Sequence, residues 1–472
     1  MSKTNDDDDY SLPWRRRSAS LRPETLWLSI AWSLEEPERL AEVAPLEEGA
    51  LLGRGEPLPG EPSGKRLGFS RHRPGSAGEP RFLLDSRVSR QQLRFSELSA
   101  DGVRVTSVGR CPLSVNGSPV QGAALKAGDV ISLRNALVLL VTRRTSALAV
   151  RHAALSFDFG NADAHGLVGE SAAAWSLRES LAFAGQSKEH VLLYGDSGSG
   201  KELSARAIHA LSPRGQRPLV SRNAATLPEA LVDAELFGNA KNYPNPGMLE
   251  RAGLVGEAHG TSLFLDEIGE LSRTAQAHLL RVLDHAGEYQ RLGEARARAS
   301  DFRLISATNR DVATLKHDFA ARFPLRVRLP GLDERRDDIP LLVRAILRRL
   351  ADSSPALLDR FFERRGSRIA EPRIEPQVLE LLLRREYRTH LRELERLLWT
   401  ALSTSEDDFI AATPEFVREA APGQSLEAPE PERAAIEQAL SAARGNVTKA
   451  ARLLGLRNRY VLYRVMRKLQ LE

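Results

Sequence analysis

A glycine-rich turn closed by a lysine, GDSGSGK at residues 195–201, has the residue types that bind phosphate. Glycines let the chain wrap an anion so closely that backbone N–H groups point inward, and Lys201 adds a point charge at the outer phosphates. Gly195, Asp196, Ser197, Gly198, Ser199 and Gly200 would form the cradle, and Glu202 stands where such loops ordinarily carry Ser or Thr. Further on, SLFLDEIGEL ends an apolar segment in Asp266 and Glu267. Carboxylates there, in the same sheet as the loop, can hold Mg²⁺ and polarise an attacking water. RLISATN closes another apolar segment on Asn309, a polar group suited to reading a γ-phosphate. Together these residues suit the binding and splitting of ATP.

The elements that would position them follow from the local pattern. HVLLYGDSGSGKELSARAIHAL reads as strand, turn and amphipathic helix, the arrangement in which a helix N-terminus faces the phosphates. From about 167 to 402 strands alternate with long helical patterns, which predicts an α/β domain with a largely parallel sheet. Residues 46–145 alternate short apolar segments with Gly/Pro/Ser turns, which predicts an all-β sandwich. Residues 1–45 read as a disordered tail, and 146–165 and 411–431 as linkers. Residues 432–472 predict an all-α helix-turn-helix, its first helix apolar at Ala435, Ile436, Ala439 and Leu440 and its second capped by Asn446. The fold class is thus multidomain: an all-β sandwich, an α/β P-loop domain and an all-α helical module.

Composition agrees with a soluble chain of 472 residues, 42 % hydrophobic and 27 % charged. No apolar run reaches the roughly 18 residues of a membrane helix, and MSKTNDDDDY is no secretory signal, so a cytoplasmic location without membrane is expected. Cys111 is the only cysteine, which excludes an internal disulfide and a cysteine-based zinc site. Between 432 and 472 nine Lys/Arg face three Glu, a net +6 against +5 for the whole chain. Such asymmetry points to a polyanion, and Arg457, Asn458, Arg459, Tyr460 and Arg464, at and along the last helix that begins near Asn458, are candidates to contact double-stranded DNA.

The central segments LVGES, GDSGSGKE, NAATLPEALVDAELFG, GTSLFLDEIGEL, LISATNRD and LPGLDERRDDIPLL resemble, in order and spacing, the AAA+ module of sigma-54-dependent activators. GNVTKAARLLGL resembles the Fis-type DNA-binding domain common in that family. The resemblance implies an α/β core over 166–338 with a helical lid over 339–410. It implies that Asn223 positions Glu267, that Arg392 senses nucleotide from the lid, and that a ring of subunits works on RNA polymerase holoenzyme. It also implies an arginine finger: Arg322 falls on one finger position, and Lys316 occupies the other. Where the family carries GAFTGA, an ungapped count between Gly238 and Gly253 gives Asn242-Tyr243-Pro244-Asn245-Pro246-Gly247. Two prolines fix φ and remove two donors, so contact with sigma-54 is expected to be impaired or absent. The alternative function is then a nucleotide-controlled DNA-binding regulator that does not remodel sigma-54.

The β region resembles a forkhead-associated domain, a reader of phosphothreonine proteins, at Gly53-Arg54, Ser89-Arg90, Asn116-Gly117 and LKAGDVISL. Arg54, Ser89, Arg90 and Asn116 would hold the phosphopeptide by charge-assisted hydrogen bonds. Gln92 replaces that family's structural His, and residues 110–113 lack its Asn-Gly.

Overall fold

The computed structural model describes residues 24–57, 66–148, 157–284, 287–365, 368–421 and 433–443, with 447, 450 and 454 singly. It divides into two compact units, Met1–Ala412 and Thr413–Glu472.

The first unit opens with a sandwich of short strands: β1 (Thr25–Ser33), β2 (Val43–Pro45), β3 (Leu51–Leu52), β4 (His72–Arg73), β5 (Ser76–Ala77) and β6 (Leu93–Ser96). It continues through β7 (Val103–Ser107), β8 (Leu113–Val115), β9 (Ser118–Pro119), β10 (Gly122–Leu125), β11 (Val130–Leu133) and β12 (Leu137–Arg144). One sheet runs β2-β1-β12-β11-β8-β9 and the other β10-β7-β6-β3, all antiparallel. Leu26, Leu28, Ile30, Leu137, Leu139 and Val141 fill the space between the sheets with Phe69, Phe95 and Leu93.

The expectation that 1–45 is a disordered tail fails for its described part, because β1 is an interior strand of the larger sheet. Charges and prolines flank the segment, but TLWLSIAW itself is buried almost throughout. Its two-sided burial has a cause in the tertiary structure: the outer faces of β1, β11 and β12 are covered by lid helices. Strands buried on both faces read as continuous apolar runs rather than alternating ones.

Residues 157–165, expected as linker, are turns packed in place. Arg73 on β4 lies over the Phe157 ring at 4.3 Å and donates to the Phe157 carbonyl at 2.7 Å and to Glu170 Oε2 at 3.0 Å. Glu170, itself buried, also accepts from Gly160 N–H and the Trp175 indole.

The α/β core follows with α1 (Ala172–Gln186), β13 (Val191–Tyr194), α2 (Lys201–Ala210), β14 (Val220–Asn223), α3 (Val232–Phe237), α4 (Gly253–Glu257) and β15 (Ser262–Asp266). Then come α5 (Arg273–Asp284), the hairpin β16 (Glu288–Tyr289) and β17 (Arg298–Ala299), β18 (Arg303–Thr308), α6 (His317–Ala321) and β19 (Leu325–Arg328). The sheet is parallel in the order β14-β15-β18-β13-β19. Successive strand residues face opposite layers: Leu193, Ile305 and Phe264 pack with α1 and α2, while Leu192, Leu304 and Leu263 pack with α3, α4 and α5.

The lid comprises α7 (Ile339–Ser353), α8 (Pro355–Leu358), the hairpin β20 (Phe362–Arg365) and β21 (Arg368–Pro372), α9 (Pro376–Arg384) and α10 (His390–Thr404). Helix α9 packs on β1, β11 and β12, and Leu341 of α7 belongs to the sandwich core. Trp32 donates its indole N–H to the Ile374 carbonyl at 3.1 Å.

The second unit contains α11 (Pro414–Ala420) and α12 (Arg433–Ala442). Helix α11 corrects the expectation that 411–431 is a plain linker. The Thr413 hydroxyl caps the Phe416 N–H and Pro414 starts the helix, a local start signal that composition alone conceals. In α12, Ile436 and Ala439 are buried, as the apolar pattern predicts. Asn446 and the proposed DNA-contacting residues Arg457, Asn458, Arg459, Tyr460 and Arg464 lie outside the described residues.

Candidate active site

Four parallel strands deliver the candidate residues to one edge of the sheet, the carboxyl edge where open α/β folds bind ligands. Strand β13 leads into the glycine turn, and the positive φ of Gly198 (80°) and Gly200 (101°) curls it toward α2. At Gly198 a Cβ would meet the Thr389 carbonyl oxygen at 2.2 Å, so only glycine lets the lid approach the loop. Lys201 opens α2 and turns its ammonium back onto the loop, donating to the Gly195 and Asp196 carbonyls at 2.9 Å each. Burial lowers the pKa of this ammonium; the carboxylates of Glu267, Asp266 and Asp196 oppose that shift. The Ser199 hydroxyl in the same loop is buried and has no hydrogen-bond partner among the described residues.

Asp266 ends β15 and is the register partner of Asn223 at the end of β14. The Asp266 carboxylate accepts the Glu267 N–H at 3.0 Å, and Glu267 stands at φ 51°, a bend that carries its side chain out of the strand. Asn223 caps the turn that follows it, accepting from Ala225 N–H at 2.8 Å. Thr308 pairs in register with Tyr194 and accepts from Gly195 N–H, so Asn309 emerges beside the start of the loop.

The lid supplies the remaining group. Arg392 donates to the Ser197 hydroxyl at 2.9 Å, and Leu391 N–H donates to the Gly198 carbonyl at 3.3 Å. Two candidates stay apart from this cluster within the single chain. The Glu202 carboxylate is taken up by Arg206 at 2.6 Å, one helical turn on. Arg322 follows α6 on the surface and forms an ion pair with Asp284 at the end of α5. Lys316 caps the other end of α6, its backbone N–H donating to Gln276 Oε1 at 3.1 Å.

Residues 242–247 form a closed knuckle. Asn242 N–H donates to the Met248 carbonyl at 2.9 Å, and the Asn242 side chain accepts from Gly247 N–H at 3.0 Å. The buried Asn239 amide ties it down by donating to the carbonyls of Ala240, Tyr243 and Leu249.

A family model described as sigma-54 interaction domain matches residues 167–332, and one described as bacterial regulatory protein, Fis family, matches 428–469. The transcriptional regulatory protein ZraR of Salmonella typhimurium is 36 % identical over 318 residues, 64 % of this chain and 68 % of that protein. The chain belongs to the sigma-54-dependent transcriptional regulators. The Nif-specific regulatory protein of Bradyrhizobium diazoefficiens is 38 % identical over 242 residues, 50 % of this chain and 39 % of that protein. The structure of NtrX from Brucella abortus in complex with ADP aligns with 65 % of this chain and 69 % of that one, at 29 % identity and a TM-score of 0.46. By its family match the central domain of this sigma-54-dependent regulator is of the AAA+ P-loop type, and a Fis-type helix-turn-helix follows it.

In this regulator the sandwich loops bring together part of the second candidate site. Arg54 N–H donates to the Ser89 carbonyl at 3.0 Å, and Ser89 Oγ accepts from Arg110 N–H at 2.9 Å, which sets Arg54, Ser89, Arg90 and Arg110 on adjoining loops. Asn116 is the exception. It sits in the β8–β9 turn, at the other end of β8 from the Arg110 loop, with φ 51°. Its side chain is spent on Asp129 (2.8 Å) and Val130 N–H (3.0 Å), so the Asn-Gly pair is a hairpin turn rather than a phosphate ligand. Gln92, a departure from the sequence pattern, is wholly buried and bonds Cys111 N–H and C=O as well as Ser89 N–H. It thereby locks the loops that carry Ser89 and Arg110. Sequence reasoning passed over Arg110, and also His390, whose ring lies against the phosphate loop.

Proposed function

We propose that this chain is an ATP-hydrolysing, sequence-specific DNA-binding transcription regulator whose β-sandwich reads phosphothreonine. The observation that carries the reading is the convergence of Lys201, Asp266, Glu267 and the lid's Arg392 on one glycine loop. The loop fits a triphosphate: among the described residues its lysine donates to carbonyls that an anion would outcompete, and the buried Ser199 hydroxyl has no partner there. Asp266 fits a Mg²⁺ ligand, since among the described residues one backbone N–H, that of Glu267, engages its carboxylate. When bound, Mg²⁺ would neutralise charge on the phosphate oxygens. Glu267 would then orient the attacking water, with Asn223 and Asn309 beside it, while Lys201 and Arg392 hold the outer phosphates. Arg322 is half exposed, so in a ring it can leave Asp284 for a neighbour's γ-phosphate.

The reading also supplies a route from signal to site. The sandwich that would bind a phosphothreonine protein is seated on α7 and α9, and the same lid carries Arg392. DNA contact is assigned to Arg457, Asn458, Arg459, Tyr460 and Arg464, with ATP and DNA met in the cytoplasm.

A second reading, ATP-controlled DNA binding without sigma-54 remodelling, draws on the knuckle. Asn242, Pro244, Pro246 and the Asn239 amide hold residues 242–247 in a closed turn, where a loop that pushes on a partner must extend. Parallel assays of ATP hydrolysis and of open-complex formation by sigma-54 holoenzyme separate the two. Hydrolysis with open complexes supports remodelling, hydrolysis alone supports the second reading, and absence of ATP binding overturns both.

A further inference from the structure

The first residue of α10 is His390, buried and at φ 43°, a left-handed conformation that non-glycine residues adopt only when their surroundings enforce it. Three contacts enforce it. His390 Nδ1 lies 3.3 Å from Leu332 N–H, which makes that nitrogen an acceptor and leaves the ring proton on Nε2. Nε2 faces Asp196 Oδ2 at 3.3 Å and so donates to the carboxylate. The ring lies on Gly331, where a Cβ would come within 2.5 Å of Cε1. One imidazole thus joins the phosphate loop, the 331–332 connection between core and lid, and the lid helix.

Asp196 is held at both ends by this arrangement. Its carbonyl accepts from Lys201 Nζ at 2.9 Å, and its carboxylate, three-quarters exposed, accepts the hydrogen bond from His390 Nε2–H. A movement of the lid therefore reaches the lysine cradle through His390 and Asp196. We propose that His390 is a positioning residue that latches the lid onto the phosphate loop and so sets ATP affinity. The proposal rests on reading the loop as an ATP site.

The test is steady-state ATP hydrolysis by the full chain. His390→Ala should raise KM for ATP about tenfold, the range of one lost charge-assisted hydrogen bond. It should leave kcat within about twofold, because Lys201, Asp266 and Glu267 are untouched. His390→Asn should restore most of the affinity, since Asn tolerates positive φ and its amide can serve both partners. Asp196→Ala should raise KM similarly, and the double variant should add nothing further. A merely structural histidine would instead lower kcat and Tm with KM unchanged, and that outcome overturns the proposal. Should His390→Ala fail to fold, Gly331→Ala displaces the ring while keeping it, and an unchanged KM there overturns the proposal equally. Lys201→Ala is the control. Loss of ATP binding in that variant alone upholds the ATP site, whereas a wild-type chain that binds no ATP removes the site and the latch together.

Discussion

Arg144, the last residue of β12, and Asp337, 193 residues later in the turn that leads into the lid, form a buried ion pair 2.5 Å apart. Arg144 also donates to the Glu170 carbonyl at 3.2 Å. The neighbouring Asp338 accepts Glu170 N–H and Ser171 N–H and the Ser171 hydroxyl, at 2.6–2.8 Å. Sandwich, connecting segment, first core helix and lid thus share one polar knot.

Removing one partner of that knot strands the other. Arg144→Met should destabilise the chain by about 3 kcal/mol, because an uncompensated carboxylate is left in a dry site. Arg144→Met combined with Asp337→Leu should recover most of the loss. Urea unfolding followed by circular dichroism measures both, and a double variant no more stable than the single one would contradict the paired role.

Gln92, buried in the sandwich, bridges the loops that carry Ser89 and Cys111. Gln92→Ala leaves the Cys111 N–H and C=O and the Ser89 N–H without that partner. The expected cost is about 2 kcal/mol of stability. On the phosphothreonine reading, affinity for a phosphothreonine peptide should fall together with it. Calorimetric titration of a phosphothreonine peptide library checks this, and Arg54→Ala should abolish the binding without a comparable loss of stability.

A pH dependence follows from His190. Burial, reinforced by Arg303 and Arg214, pushes its imidazole down to about 4, and its Nδ1 accepts the Leu304 N–H at 3.0 Å. Between about 4 and 6.5 the unfolded chain therefore binds more protons than the folded one. Stability should fall as pH drops through that window, by about 3 kcal/mol in all. His190→Asn keeps an acceptor for Leu304 without titrating, so it should flatten the profile. Unfolding midpoints from pH 4 to 7 decide it, and a variant as steep as wild type would contradict the assignment.

The phosphate loop was legible because its signal is local: an apolar strand, glycines and a lysine within twelve residues, 190–201. Asp266 and Asn309 were legible for the same reason, each ending an apolar run. Strand β1 was not, since its second apolar face is explained only by lid helices hundreds of residues away. Asn116 misled because Asn-Gly is both a turn signature and a motif fragment, and only its bonds to Asp129 and Val130 tell these apart. His390 carried no local signal at all: its partners are 58 and 194 residues distant, and a lone histidine opening a helix is unremarkable.

The central claim, that the loop at 195–201 binds ATP for hydrolysis directed by Glu267, is tested most directly by Glu267→Gln. The substitution keeps the shape of the side chain but cannot orient and polarise a water as a carboxylate does. Nucleotide binding and steady-state turnover should be measured on the full chain for both proteins at the same concentration. Both proteins should bind ATP with similar affinity, and turnover should fall at least about a hundredfold in the variant. Turnover by Glu267→Gln at the wild-type rate, or a wild-type chain that binds no ATP, would contradict the claim.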